Sequence, residues 1–201
     1  MLRVKITSSY SVQLKPLDFD IKPTIITYRA AVSCLIDVVN KEWPSLVTIV
    51  GELNRSREVE RLVHTTKGNK AKYNFDAQFY KFPSYLRRAA INSAIGCVSS
   101  YKSNLENWNK SKKGKQPTLT LNRFVMPSFY YKNMYLTSDK YQATIKVFLN
   151  NDWVWRKISF VKKPVGATQR SLILAKVPEL ERRTTCTYHT LLELNKALTS
   201  A

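Results

Sequence analysis

Glycine is scarce in this chain, at 5 residues in 201, and no glycine-rich loop able to cradle a phosphate can be assembled from so few. Cysteine is equally thin. Cys34, Cys97 and Cys186 are odd in number and far apart, which excludes a disulfide framework and points to a reducing compartment. The two histidines, His64 and His189, are isolated, so the paired Cys/His spacing of a four-ligand zinc site is missing. No segment approaches the ~18 consecutive apolar residues of a membrane span. The opening Met1-Leu2-Arg3-Val4-Lys5-Ile6 alternates charged and apolar side chains and lacks the apolar stretch of a signal peptide. The expectation is a cytoplasmic protein, nucleoid-associated if DNA is its partner, with no membrane as partner.

Acidic residues are the other shortage: 14 Asp+Glu face 33 Lys+Arg, a formal net charge of +19. The surplus is uneven. Residues 1–63 carry 9 basic and 7 acidic residues, whereas 64–201 carry 24 and 7. The stretch 84–163 alone holds 15 basic and 3 acidic residues, with aromatics running through it. A compact domain with this imbalance repels itself unless a polyanion neutralises it. Trp, Tyr and Phe interleaved with Lys and Arg suit base stacking and phosphate contact, which favours nucleic acid over an anionic membrane. The apolar share, 44%, is that of an ordinary globular chain, so the charge does not mark a disordered tail.

Val4, Ile6, Tyr10, Val12 and Leu14 alternate with polar residues and predict a first strand, ended by Pro16. Pro23 suits the first turn of a helix whose apolar face is Ile25, Tyr28, Val32, Leu35 and Val39, with Pro44 expected to close it. Ser45 is the expected cap of a second helix with Leu46, Ile49, Val50 and Leu53 inward, continuing from Arg55 to Val63 after a break near Gly51. A polar basic loop, 65–70, precedes a long helix capped by Ser84. Its stripe is Ile91, Ala94, Val98, Tyr101, Leu105 and Trp108, and Arg87 occupies the same stripe one turn earlier. From Thr118 the texture turns to β. Tyr141–Leu149 alternates, Asn150-Asn151-Asp152 turns the chain, and 153–161 returns as the second arm of a hairpin. Leu172–Val177 and Cys186–Leu192 suggest further strands. The order strand, helices, strands predicts an α+β fold, an antiparallel sheet or small β-barrel interrupted by a helical insertion.

Two stretches carry a resemblance. Lys81-Phe82-Pro83-Ser84-Tyr85-Leu86-Arg87-Arg88-Ala89-Ala90-Ile91, with Ala94-Ile95-Gly96, Ser99-Ser100 and Trp108, resembles the recognition-lobe helix of TnpB, the RNA-guided transposon nuclease related to type V CRISPR effectors. Phe129-Tyr130-Tyr131-Lys132-Asn133-Met134, with Ala143–Val147 and Trp153-Val154-Trp155, resembles the second part of its wedge domain. The resemblance implies a wedge-like barrel of 1–20 and 116–201 around a recognition-like helical domain of 21–115. It implies the half that grips guide RNA and guide–target duplex, without the RuvC nuclease and zinc ribbon that follow in that family. A separately encoded or downstream RuvC half is then a further expected partner. The rivals are a basic structural subunit of a ribonucleoprotein unrelated to transposons, and an inert truncated fragment.

The chemistry-bearing residues favour binding over catalysis. A RuvC-type centre needs carboxylates clustered around two metals. Residues 64–201 offer only Asp76, Glu106, Asp139, Asp152, Glu179, Glu181 and Glu193, each expected at a solvated surface. Cys97 is expected in the core, and Cys186 and His189 fall on opposite faces of a strand. No catalytic residue, metal or cofactor is therefore assigned. For nucleic acid the candidates are Arg87 and Arg88, whose guanidinium forks suit phosphate, and the lysine loop Lys110, Lys112, Lys113 and Lys115. Tyr130, Tyr131, Lys132 and Asn133, with Arg156 and Lys157, complete the set. Arg87 in particular is expected at a groove edge with its fork toward a phosphate. Trp153 and Trp155 share a strand face and read more as hairpin core than as a base platform.

Overall fold

The computed structural model describes residues 14–121, 125–129, 133–139 and 141–161. The fold is α+β, with four helices and a three-stranded antiparallel open sheet among these residues. They divide into two compact units. A helical unit comprises Ile21–Pro127 with the hairpin tip Phe148–Trp153, and a strand unit holds the described parts of 14–20, 128–147 and 154–161.

In the helical unit, α1 spans Lys22–Leu46, with Pro23 in its first turn, where a missing N–H costs nothing. The predicted face is buried: Ile25, Tyr28, Val32, Leu35 and Val39, widened by Ala31, Ile36 and Val38. Pro44 does not end this helix but lies inside it. The helix end is held from outside: Arg55 donates Nε to the Leu46 carbonyl at 3.0 Å and Nη2 to the Ile49 carbonyl at 3.2 Å. Carbonyls that a helix terminus leaves orphaned thus find a guanidinium. Ser45 is accordingly no cap, and Val50 and Leu53 face solvent, contrary to expectation. Helix α2, Glu52–Val63, begins after Gly51, whose φ of 89° lies in the region that favours glycine. It buries Val59 and Val63.

A single turn, α3 (Phe75–Gln78), leads to α4, Ser84–Ser111, whose N-cap is Pro83 and not Ser84. Leu86, Ala90, Ile91, Ala94, Ile95 and Val98 are buried, and α4 packs along α1 and against α2. Tyr28 Oη lies 3.3 Å from Ser93 Oγ across the α1–α4 seam. Tyr101, Leu105 and Trp108 continue the stripe but are only half-buried. The strand texture expected from Thr118 forms no strand among the described residues up to Phe129. There the Val125 carbonyl is taken by Arg29 Nε at 2.9 Å, a side chain standing where a neighbouring strand would be.

The hairpin forms as expected. Strands β2 (Gln142–Leu149) and β3 (Asp152–Ser159) are joined through Asn150 (φ 49°) and Asn151 (φ 60°), the two positive φ values of a type I′ turn. Strand β1 (Tyr135–Asp139), which the sequence did not single out, pairs antiparallel with β2, Tyr135 opposite Ile145 and Leu136 opposite Thr144. Ala143, Ile145 and Val147 are the buried alternation of β2. Leu14, the only described residue of the expected first strand, bridges antiparallel to Phe160, and Lys15 N–H reaches the Ser159 carbonyl at 2.8 Å. The strands expected at 172–177 and 186–192 lie outside the described residues.

The hairpin tip is part of the helical unit's aromatic core. Trp153 meets Phe82 edge-on at 5.4 Å and lies 5.3 Å from Phe148, and Phe82 in turn packs edge-on against Phe75 and Phe79. Thr24, fully buried, satisfies its hydroxyl on the Phe148 backbone, accepting the N–H at 2.9 Å. The two tryptophans therefore part ways: Trp153 is core, whereas Trp155 is 40% exposed beside Lys146. Replacing Trp153 with Ala should lower unfolding free energy by about 3–5 kcal/mol, and Trp155→Ala by about 1 kcal/mol or less. Urea titration of the two variants decides this, and equal effects would contradict the assignment.

Candidate nucleic-acid interface

Arg87 lines a cleft, but it is buried, at 5% exposure, and its fork is not free. Its Nη2 lies 3.4 Å from Glu60 Oε1 of α2, and its Nη1 lies 3.6 Å from Asp76 Oδ1 of α3. Its Nε has no partner among the described atoms. A guanidinium on an apolar stripe must find anions or pay heavily for desolvation, and this chain supplies them internally. Arg88 is half-exposed, yet its Nε also reaches Glu60, at 3.1 Å, with the guanidinium 5.5 Å from the Tyr85 ring centroid.

Asp76 is partly solvated, as expected, but it is also tied into the fold. It accepts His64 Nδ1 at 2.8 Å and the Thr65 N–H at 3.2 Å. His64 is placed by the end of α2, where it adopts an extended conformation as C-cap. Asn69 fastens that end, donating Nδ2 to the Arg61 carbonyl at 2.7 Å and the His64 carbonyl at 3.0 Å. An open cleft of about 450 Å3 results, lined by Glu60, Arg61, His64, Thr66, Asn69, Ser84, Arg87 and Arg88. Its cations are answered in place: Arg61 pairs with Glu58 at 2.7 Å, and Arg87 and Arg88 share Glu60. The cleft has the chemistry of a lock between α2, α3 and α4, with little charge left for a polyanion.

The other end of α4 differs. Lys110 is paired, Nζ to Glu106 Oε1 at 2.7 Å, and that bond holds the Glu106 carboxyl below its ordinary range. Lys112, Lys113 and Lys115 are exposed and have no carboxylate partner among the described residues. In the strand unit Arg156 and Lys157 are both exposed. Asn133 sits exposed in a turn. Tyr130, Tyr131 and Lys132 lie outside the described residues.

Among the described residues neither cysteine is an activated nucleophile. Cys34 and Cys97 are half-buried, and burial pushes both thiols up, for Cys34 with help from the Asp37 charge, so thiolate is disfavoured. Cys97, expected in the core, points its Sγ at the Thr120 carbonyl, 3.6 Å away. Among the described residues no three His, Cys, Asp or Glu side chains converge to hold a metal ion. Cys186 and His189 lie outside them. What sequence reasoning missed is the Glu60–Arg87–Asp76–His64 chain. The signal was Arg87 itself, since a cation on a core-facing stripe calls for an internal carboxylate.

The fold and its charged surface define a basic α+β protein with an internally neutralised cleft and an open lysine-rich helix end. The chain belongs to the Aq_aa04 family, whose model matches residues 5–149. It is 28% identical over 119 residues to the uncharacterized protein aq_aa04 of Aquifex aeolicus (strain VF5), a match covering 55% of this chain and 67% of that one. No solved structure matches.

Arg87→Met should lower stability by about 2–3 kcal/mol, below the range for a fully buried pair, because Glu60 keeps Arg88 and Asp76 keeps His64. Chemical denaturation measures it, and an unchanged midpoint would remove Arg87 from the lock.

Proposed function

We propose that this chain binds nucleic acid, RNA foremost and DNA second, through charge and backbone contact and without cutting it. The observation that carries the reading is the surplus of +19 together with the cations left unanswered. Lys112, Lys113, Lys115, Arg156 and Lys157 are exposed, and none has a carboxylate partner among the described residues. Such residues release counterions when they meet phosphate, whereas Arg61, Arg87, Arg88 and Lys110, already paired, contribute little. Among the described residues no helix is long and apolar enough to cross a membrane.

The narrower reading is a wedge-and-recognition half of a TnpB-like protein that holds a guide RNA and its duplex. It rests on the resemblance of 81–108 and 129–155 alone. In that class the protein grips the duplex backbone and base pairing supplies sequence, and exposed lysines without carboxylate partners among the described residues support such a grip.

Fluorescence anisotropy with a labelled RNA hairpin over a salt series tests the proposal. If about six phosphates are neutralised, affinity should fall roughly a thousandfold between about 50 and 200 mM salt. Affinity that stays flat over that range would contradict it.

A further inference from the structure

We infer that the C-terminal end of α4 and the loop to Lys115 form a pre-organised phosphate clamp that is blind to base sequence, with Trp108 as its positioning residue. The inference rests on the nucleic-acid reading above and names the site and manner of contact.

A run of lysines after a helix is ordinarily a solvated, loose segment. This one is folded back on the helix. Lys112 adopts the left-handed conformation (φ 53°, ψ 20°), its N–H returning to the Trp108 carbonyl at 2.6 Å. Its ammonium then sits 4.2 Å from the Trp108 ring centroid and donates to Asn109 Oδ1 at 2.8 Å. Trp108 Nε1–H reaches over to the Gly114 carbonyl at 3.1 Å, and Gly114 has the positive φ, 76°, that such a return requires. One indole therefore holds the loop at Lys112 by its ring and at Gly114 by its N–H. Lys113 and Lys115 flank that tethered glycine, so their stems leave from a fixed backbone.

Three further observations give the clamp its ligand. Lys112, Lys113 and Lys115 have no carboxylate among the described residues, unlike Lys110 four residues from Glu106. They stand at a helix C-terminus, where the dipole favours cations. Lysine occupies at position 112 a left-handed cap that glycine fills without strain, and this is not the residue that stability alone would choose. Trp108, half-buried, has its N–H committed and the Lys112 ammonium over one face of its ring, so it serves the loop in place of a base on that face. Contact is then with the phosphate backbone, and the clamp adds affinity equally to every sequence.

The test uses the full chain with a labelled RNA hairpin and with uridine and adenosine homopolymers. Lys112, Lys113 and Lys115 changed together to Gln should weaken all three probes by the same factor. The log–log salt slope should become shallower by about two to three, near one per phosphate lost. Trp108→Leu keeps every charge, so the slope should hold while affinity falls about three- to tenfold from lost pre-organisation. Lys112→Gly should leave the thermal midpoint equal or higher while removing about one from the slope. A triple variant that binds like the parent, while the parent binds with steep salt dependence, overturns the clamp and spares the nucleic-acid reading. A parent without salt-dependent binding overturns both. Trp108→Leu with the parent's affinity per folded molecule overturns the positioning role, and unequal weakening of the homopolymers overturns base-blindness.

Discussion

Carboxylates are the limiting resource of this molecule. With 14 of them against 33 Lys and Arg side chains, where each carboxylate is committed decides which cations stay free. The described structure commits several to holding helices together. Glu60 serves Arg87 and Arg88, Asp76 serves Arg87 and His64, and Glu42 takes both Lys72 and the Tyr73 hydroxyl. Those bonds hold the Glu42 carboxyl below its ordinary range and push the Tyr73 phenol up, as expected of groups fixed in one protonation state. A carboxylate placed beside Arg87, which is buried and has no alternative in water, has a structural consequence that one beside an exposed lysine lacks.

Helix α4 displays both outcomes along its length. It has 28 residues, roughly 42 Å at the standard rise. Its first turn enters the cleft with α2 and α3, and there the arginines are neutralised. Its middle is the apolar seam with α1, where Ala90, Ile91, Ala94 and Val98 fix its position. Its last turn leaves the seam, Trp108 becomes half-exposed, and Lys112, Lys113 and Lys115 meet no carboxylate among the described residues. Buried packing thus holds the helix in place while its far end presents the charge.

Local patterns in the chain were legible, and distant pairings were not. The faces of α1 and α4 could be read because their apolar residues recur every three or four positions, and the hairpin because Asn-Asn tolerates the left-handed region. Pro44 misled, since the guanidinium that secures the end of α1 comes from Arg55, nine residues on from Leu46. The stretch after Thr118 has β-like composition, but Arg29, 96 residues away, takes the Val125 carbonyl. At the candidate site the same limit applied. Arg87 and Arg88 carried the right chemistry for phosphate, and only the fold brought Glu60, 27 residues earlier, within reach of the Arg87 fork. The reverse held at Lys112, where the run of charge was plain and its attachment to Trp108 was not.

If free cations carry the binding, lysines should separate by whether a carboxylate answers them. Limited acylation of the full chain with an amine-reactive reagent, with and without a saturating RNA hairpin, reads each lysine by peptide mass spectrometry. The account predicts strong protection at Lys112, Lys113 and Lys115 and little change at Lys72, which is held by Glu42. Protection spread evenly over all lysines, or concentrated at Lys72 with the end of α4 unaffected, would contradict it.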